Sequence, residues 1–309
     1  MSETRRAPSP EARRRFLAGL AAASRLAGQL AGASITVVDG RQQHWYQPGF
    51  TLVASGIKPM DYVVSQTADY IPKGVTWVAE ALAEIDPEAR KVVTASGRTL
   101  PYDFLIVATG LELAYDAIEG MDTARIGQDG LGSICHSPQG AAATWQAMSR
   151  FADTGGVGVF GRPTGEMKCA GAPLKYTFIT DDHLRRRGQR GKAELLYHAH
   201  GKVLFSVPIV AEKVRMLFQD RGVTVRQEHV LEAIDPGRRI ATFQTPAGPV
   251  EQRYDFINVV PPMRAPRVVN NLVMSFPGVI APLEELWISW VMKTIALKPT
   301  YVAMLRGRA

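Results

Sequence analysis

The sequence predicts an α/β protein with two nucleotide-binding domains of the Rossmann type, and three observations favour this class. The first is a helical segment rich in Ala and Leu, residues 16–30, followed by an apolar strand that ends in an acid, residues 35–39. The second is an internal repeat, residues 83–107 and 232–259, in which a turn-rich segment leads to an apolar strand. The third is the length of 309 residues, which is enough for two compact domains.

Residues 16–39 resemble the second half of a dinucleotide-binding unit. Such a unit consists of a strand, a G-x-G-x-x-G turn, a helix, a second strand and an acid that binds a ribose hydroxyl. Gly19 fits the third glycine and Asp39 fits the acid. Arg14 and Phe16 stand where the first two glycines are expected, and their side chains obstruct a close approach of the backbone to phosphate. The sequence therefore predicts weak retention of a dinucleotide.

The internal repeat predicts two three-stranded meanders, each followed by a buried return strand. We expect the first return strand, residues 105–108, to share a parallel sheet with residues 35–38, and residues 157–160 and 194–197 to lie together in another sheet. The first copy ends in Ala108-Thr109-Gly110, a turn that allows the backbone to approach a ligand. An ordinary turn at a strand end explains the same residues without a ligand.

A cysteine in a strand-to-helix turn is the best candidate for a reactive group. Residues 157–161 predict a strand and residues 174–187 predict a helix that ends at Gly188; Cys169 lies between them in the loop M-K-C-A-G-A-P. The amides of the helix and the charge of Lys168 would stabilise a thiolate there. An inert, buried cysteine is the alternative interpretation. Cys135, ahead of a helix predicted over residues 138–151, is a second redox thiol or an incidental cysteine.

Composition and charge exclude several classes of protein. Two cysteines without a C-x-x-C pair argue against a disulfide scaffold and a zinc site, and we interpret His198 and His200 as residues on the face of a sheet rather than metal ligands. The net charge of +7 is spread along the chain without a nucleic-acid motif, which favours a membrane surface over nucleic acid as partner. No run of roughly 20 apolar residues predicts a membrane span.

Several motifs resemble those of one enzyme family. The loop K-C-A-G-A-P, residues 168–173, resembles the redox-cysteine loop of sulfide:quinone oxidoreductases, and W-Y-Q-P-G-F-T-L-V, residues 45–53, resembles their flavin-side segment. The resemblance continues from Y-D-F, residues 254–256, to V-P-P-M, residues 260–263, and returns in residues 275–309. It implies a glutathione-reductase-like fold of two nucleotide-binding domains. Between residues 263 and 275 the chain departs from the family, which carries there a Gly-Asp segment and a further redox cysteine.

The resemblance implies an FAD-dependent oxidoreductase that oxidises sulfide through a reactive cysteine and reduces a membrane quinone. Cys169 would be the thiolate nearest the flavin, and Cys135 would be its partner sulfur. The residues expected around FAD are Gly19, Asp39, Gln47, Leu82, Thr109, Gly110, Pro261 and Pro262. Two alternatives stay open at this point. One is a flavin-free, catalytically impaired scaffold; the other is a related NAD(P)H–quinone flavoprotein, for which residues 161–165 do not supply the second glycine fingerprint.

The expected domain plan has four parts. Residues 1–15 are a polar, disordered start, although their arginines also fit a twin-arginine export signal with cleavage near residues 31–33. Residues 16–130 form an FAD-binding domain, residues 131–272 a second nucleotide-binding-like domain, and residues 273–309 an amphipathic helical tail. Because the tail combines tryptophans, apolar bulk and Lys/Arg, we expect a peripheral protein of an inner or plasma membrane, on its cytoplasmic face. A core or dimer contact is the alternative for the tail, and a homo-oligomer is consistent with the sequence.

Overall fold

The computed structural model describes residues 18–30, 32–165 and 167–269, and the chain divides into two compact units. Unit 1 contains the described residues up to 42, residues 70–110 and residues 265–269, whereas unit 2 contains residues 43–69 and 111–264. Residues 43–69 and 111–130, which the sequence assigns to the first domain, thus lie in unit 2. The expected disordered start and the expected helical tail lie outside the described residues.

The described residues of unit 1 include a helix, a parallel strand pair and a meander. Helix α1 (Ala18–Gln29) leads to strand β1 (Ile35–Val38), which pairs in parallel with β4 (Val75–Val78). The antiparallel meander consists of β5 (Leu82–Asp86), β6 (Lys91–Thr94) and β7 (Thr99–Pro101). Ile85 and Val92 are buried together beneath this meander. The first copy of the repeat therefore forms the meander that the sequence predicts.

The prediction of a return strand at residues 105–108 is wrong, because this segment has no strand structure and does not pair with β1. Phe104 is 86% exposed, and Ile106 and Val107 are exposed as well. A strand needs a neighbour to satisfy its backbone groups, and within the described part of unit 1 no strand flanks this segment. The apolar character of the segment predicts burial, but burial also requires that partner.

Unit 2 is organised around a five-stranded parallel sheet. Its strands are β9 (Leu131–Gly132), β10 (Gly156–Gly161), β11 (Ala193–His198), β12 (Val223–Arg226) and β16 (Phe256–Asn258), in the order β12-β11-β10-β16-β9. Val159 of β10 lies opposite both Leu196 and Ile257. The predicted pairing of residues 157–160 with residues 194–197 is confirmed.

Helices pack on one face of this sheet and a second meander packs on the other. The helices are α2 (Phe50–Val53), α3 (Pro138–Thr154), α4 (Gly171–Arg186) and α5 (Pro208–Asp220), and the meander strands are β13 (Val230–Asp235), β14 (Ile240–Thr245) and β15 (Gly248–Arg253). Phe160 and Phe256 are buried with the helices, whereas the adjacent residues Val159 and Ile257 are buried with the meander. This division follows because successive strand residues point to opposite faces.

Two short strand pairs complete unit 2. Strand β2 (Gln43–Trp45) pairs with β3 (Val64–Gln66), and β8 (Glu112–Leu113) pairs with β17 (Met263–Arg264), both antiparallel. Among the helices described here, none is both long and apolar enough to cross a bilayer.

Candidate functional site

Cys169 lies in the turn between β10 and α4, directly before Ala170, the N-cap of the helix. Its backbone is left-handed, with φ of 55°, and its carbonyl oxygen accepts a hydrogen bond from the Ala172 amide at 2.8 Å. Residues other than glycine adopt this conformation rarely, and it costs of the order of 1–3 kcal/mol. The side chain is exposed. An accessible thiol therefore lies at the amino-terminal end of a 16-residue helix, as the sequence predicts.

The loop that carries Cys169 is attached to the segment that contains the two prolines. The Lys168 amide donates a hydrogen bond to Met263 Sδ at 3.3 Å. Directly before Met263, the Pro262 carbonyl accepts a hydrogen bond from the Ala114 amide at 2.9 Å. Pro261 is buried and Pro262 is half-buried. Cys169, Pro261 and Pro262 are thus parts of one connected region of unit 2.

Cys135 follows β9 and is only half-buried as a residue, yet its thiol is poorly solvated. Burial raises the pKa of this thiol to about 11, the nearby charge of Lys168 opposes the shift, and Cys169 adds to it. The segment before Cys135 is fixed, because the Ile134 amide donates to Asn258 Oδ1 at 3.1 Å. Lys168 and Cys169 are both near enough to affect the pKa of Cys135, so the two cysteines and Lys168 lie near one another.

Tyr115 and His136 are neighbours of this cysteine that the sequence analysis missed. The Tyr115 hydroxyl and the Ser133 hydroxyl are hydrogen-bonded at 2.6 Å, and the Tyr115 ring meets the His136 ring edge-on at 5.5 Å. Burial raises the pKa of Tyr115 and lowers the pKa of His136. Both side chains are therefore uncharged at neutral pH. His136 could have been suspected from its position next to Cys135, whereas nothing in the sequence singles out Tyr115.

The Tyr-Gln-Pro segment packs on the helix that begins after Cys169. Gln47 opens a 3-10 turn, residues 47–49, that leads into α2. Lys175 Nζ donates to the Pro48 carbonyl at 3.4 Å, and the Tyr176 hydroxyl donates to the Ala54 carbonyl at 2.8 Å. Gln47 itself is exposed. The two motifs that carry the family resemblance are therefore joined within unit 2 through α4.

Asp39, the expected ribose ligand, ends β1 and is bound by a residue that the sequence analysis did not consider. Its carboxylate accepts hydrogen bonds from the Arg41 amide at 3.0 Å, from Arg41 Nε at 3.2 Å and from Arg41 Nη2 at 3.1 Å. The carboxylate is 29% exposed. A ribose hydroxyl can reach it from solvent but must compete with Arg41.

The other cofactor residues predicted in unit 1 differ in their surroundings. Gly19 lies in α1, where an added Cβ would meet the Ala108 side chain at an ordinary 3.5 Å. Leu82 packs into the core of the first meander. Thr109 and Gly110 are exposed, and Gly110 has φ of 74° with no atom within 4 Å of an added Cβ. An acid at a strand end and an open left-handed turn fit the ribose contact and the close backbone approach that FAD requires.

His198 lies on a face of the sheet, as predicted, but it is covered. Its ring stacks on the Phe243 ring of the second meander, with centroids 4.0 Å apart. Only 3% of the residue is exposed. His198 is therefore part of the interior of unit 2.

Comparisons with known proteins relate this chain to one group of flavoproteins. Residues 17–161 match the family model for pyridine nucleotide-disulphide oxidoreductases. The chain is 35% identical over 261 residues to the mitochondrial sulfide:quinone oxidoreductase of Dictyostelium discoideum, covering 84% of this chain and 57% of the relative. The corresponding mouse protein is 31% identical over 260 residues, covering 82% of this chain and 56% of the relative.

A solved structure supports the same fold. The sulfide:quinone oxidoreductase of Aquifex aeolicus superposes with a TM-score of 0.70 at 23% identity, covering 81% of this chain and 58% of that chain. The chain spans little more than half the length of the curated relatives it matches. The resemblance identified from the motifs is confirmed, and the comparisons do not favour the flavin-free scaffold or the NAD(P)H-dependent alternative.

Proposed function

We propose that this chain, a homologue of the sulfide:quinone oxidoreductases, carries the sulfide-oxidising centre of an FAD-dependent enzyme that reduces a membrane quinone. One observation carries the proposal: the exposed Cys169 lies at the start of α4, and the Tyr-Gln-Pro segment packs on that same helix through Lys175 and Tyr176. The proposal assigns residues 16–130 to FAD binding and residues 131–272 to the redox cysteines.

In the proposed reaction, sulfide loses two electrons and its sulfur forms a bond with Sγ of Cys169. One sulfide, one thiol and one quinone yield one cysteine persulfide and one quinol, so that the quinone gains two electrons and two protons. FAD, when bound, would supply the two-electron carrier between sulfide and quinone. The attacking species in such chemistry is a thiolate or hydrosulfide anion.

Lys168 and the amino-terminal end of α4 are the groups we assign to anion stabilisation. A lysine adjacent to the thiol and the positive end of the dipole of the 16-residue helix α4 both favour negative charge on sulfur. The hydrogen bond from the Lys168 amide to Met263 supports this role because it fixes the loop at the position of the lysine.

Cys135 is proposed as the second thiol of the centre. Burial disfavours the thiolate of Cys135 at neutral pH. This suits a sulfur that stays protonated or bonded to another sulfur, rather than one that acts as the nucleophile. Its interaction with Lys168 and Cys169 supports a shared site.

The proposed FAD contacts follow the motifs. Asp39 would hold the adenosine ribose after displacing Arg41, and Thr109 and Gly110 would line the nucleotide site. Gln47 and Leu82 would flank the nucleotide, and Pro261 and Pro262 would approach the flavin ring. Gly19 would stand at the third glycine of the dinucleotide-binding turn. The partners in this proposal are sulfide, a membrane quinone and a membrane surface reached peripherally at the cytoplasmic face of an inner or plasma membrane, and a homo-oligomer is compatible with it.

The test is quinone reduction by the purified 309-residue chain supplied with excess FAD. We expect a soluble ubiquinone analogue to be reduced when sulfide is added and not when NADH replaces sulfide. Reduction with NADH but not sulfide would favour the NAD(P)H-dependent alternative. Absence of reduction with either donor, in protein that binds FAD, would contradict the proposal.

A further inference from the structure

Unit 2 exposes a group of large apolar side chains in residues 57–62, the loop between α2 and β3. Ile57 is 56% exposed, Met60 is 39% exposed and Tyr62 is 46% exposed. The next residue, Val63, is 1% exposed, so the boundary between surface and interior is sharp. Single apolar residues on a surface are ordinary, but several that follow one another in one short loop indicate a surface that a partner covers.

The backbone holds this 57–62 loop in one shape. The Leu52 carbonyl of α2 accepts hydrogen bonds from the Ile57 amide at 2.9 Å and from the Lys58 amide at 3.2 Å. Gly56, directly before the loop, has φ of 69°, and an added Cβ would meet the Trp145 ring of α3 at 2.5 Å. The apolar side chains are thus presented to solvent by a fixed backbone. A partner that covers them would have little ordering of the loop to offset.

The polar parts of the loop are of the kind found where a bilayer meets water. Lys58 Nζ lies over the Tyr62 ring, 5.2 Å from its centroid, and the Tyr62 ring meets the Tyr46 ring edge-on at 6.1 Å. Tyrosine has an apolar body with a polar tip, and lysine has an apolar stem with a charged head, so both are favoured at that boundary. Lys58 and Asp61 are the charged residues of the loop and their charges cancel. Binding would therefore depend on apolar burial.

We propose that the 57–62 loop inserts its apolar side chains into the surface of a lipid bilayer. A protein partner is the alternative for an apolar loop, and the position of the loop favours lipid. Tyr46, which contacts Tyr62, belongs to the Tyr-Gln-Pro segment that resembles the flavin side of the family. A bilayer at this loop would hold its quinone beside that segment. The choice of lipid rests on the proposed function in this respect, because a quinone with an apolar tail is taken from the bilayer.

The test is sedimentation of the 309-residue chain with vesicles of phosphatidylcholine and phosphatidylglycerol. We expect Ile57→Asp to weaken binding about 10-fold or more, because it replaces an inserted apolar side chain with a charge. Ile57→Trp should strengthen binding, since tryptophan is favoured at the membrane interface. The loss in Ile57→Asp should persist in high salt, which screens attraction between the basic chain and the anionic lipid.

The matched control is Ile209→Asp, which places the same charge at another exposed isoleucine of unit 2. Ile209 is 72% exposed on α5, which packs against β12. The 57–62 loop adjoins α3, which packs against β9, so the two positions belong to opposite edges of the central sheet. Ile209→Asp should change vesicle binding less than about twofold.

Three outcomes would overturn the proposal. They are the absence of vesicle binding by the unaltered chain, equal losses in Ile57→Asp and Ile209→Asp, and self-association of the chain that Ile57→Asp abolishes while vesicle binding is unchanged. The last outcome would identify a second copy as the partner. Sedimentation requires neither sulfide nor quinone. Failure of the proposed function, measured as the absence of reduction of a soluble quinone, is therefore distinguishable from failure of the loop to bind lipid.

Discussion

The two cysteines lie in one neighbourhood but differ in exposure, and burial disfavours the thiolate of Cys135. Cys169 is exposed, whereas the thiol of Cys135 is desolvated and its pKa is raised to about 11. Since only the thiolate reacts with alkylating reagents, both accessibility and ionisation disfavour Cys135. Cys169 is thus suited to react with molecules from solvent, whereas Cys135 is suited to remain a protonated thiol.

At neutral pH we expect iodoacetamide to label Cys169 well before Cys135. The labelling rate of Cys135 should rise about tenfold for each pH unit between pH 7 and 10, because its thiolate fraction grows in that proportion below a pKa of about 11. Mass spectrometry of quenched samples measures both rates in the same protein. Equal slow labelling of both cysteines until the chain is unfolded would identify Cys169 as an inert residue.

Asp181 connects the carboxyl-terminal part of α4 to the rest of unit 2. Its fully buried carboxylate accepts from Arg185 Nε at 2.8 Å, Arg190 Nε at 2.6 Å and Arg221 Nη1 at 2.7 Å. Burial alone would raise the pKa of Asp181, but these hydrogen bonds outweigh it and hold the pKa below its ordinary value. The ionised form is therefore part of the folded state.

We expect Asp181→Asn to lower the free energy of unfolding by ~3–5 kcal/mol, because three arginines lose a buried counter-charge. The matched control is Asp182→Asn, which removes an exposed carboxylate paired with Arg186 and should cost less than about 1 kcal/mol. Because the folded-state pKa of Asp181 is depressed, its stabilising effect is present above the unfolded pKa of about 3.9 and is lost as pH falls through the folded value. Urea titrations at pH 7 check the two variants; equal effects would contradict this role for Asp181.

Among the elements, the two copies of the repeat show what a sequence pattern can and cannot determine. Both meanders form, because their turns and alternating residues act locally. The return segments differ: Phe256 is fully buried in β16 between β10 and β9, whereas the equivalent Phe104 is 86% exposed. The residues Tyr-Asp-Phe are identical in both copies, so the outcome depends on neighbouring strands rather than on the segment itself.

This difference predicts opposite effects of the same substitution. Phe256→Ala should destabilise unit 2 by ~3–5 kcal/mol through loss of buried contacts, whereas Phe104→Ala should change stability by less than about 0.5 kcal/mol. Thermal unfolding of the two variants beside the unaltered chain measures both effects. A large loss in Phe104→Ala would mean that the first return segment is buried in solution.

Helices α3 and α4 and the pairing of β10 with β11 were predicted from the sequence, while most neighbours of the candidate site were not. The helix predicted over residues 174–187 forms as α4 with one more turn at its start, and the helix predicted over residues 138–151 forms as α3. Arg41 and Tyr115 were missed because their roles depend on side-chain contacts. His198 was correctly placed on the sheet, but its burial against Phe243 arises from the meander that covers it.

At the scale of the whole molecule, unit 2 contains every group that the proposed thiol chemistry needs from this chain. Cys135, Lys168 and Cys169 lie in unit 2, and so does the Tyr-Gln-Pro segment. The proposed nucleotide contacts Asp39, Thr109 and Gly110 lie in unit 1. Substitution of Cys169 or Cys135 should therefore impair the oxidation of sulfide. It should leave in place Asp39 and the turn at Thr109 and Gly110, which are assigned to FAD binding.

The most direct test of the central claim is to locate the sulfane sulfur after one turnover. The unaltered chain, Cys169→Ser and Cys135→Ser are each mixed with FAD, sulfide and a ubiquinone analogue, trapped with an alkylating reagent and mapped by mass spectrometry, with FAD binding measured in parallel. We expect a persulfide on Cys169 in the unaltered chain, and a loss of quinone reduction of about 100-fold or more in Cys169→Ser with FAD binding unchanged, in line with removal of a nucleophile. Quinone reduction in Cys169→Ser at the rate of the unaltered chain would contradict the assignment of Cys169 as the sulfide-oxidising residue.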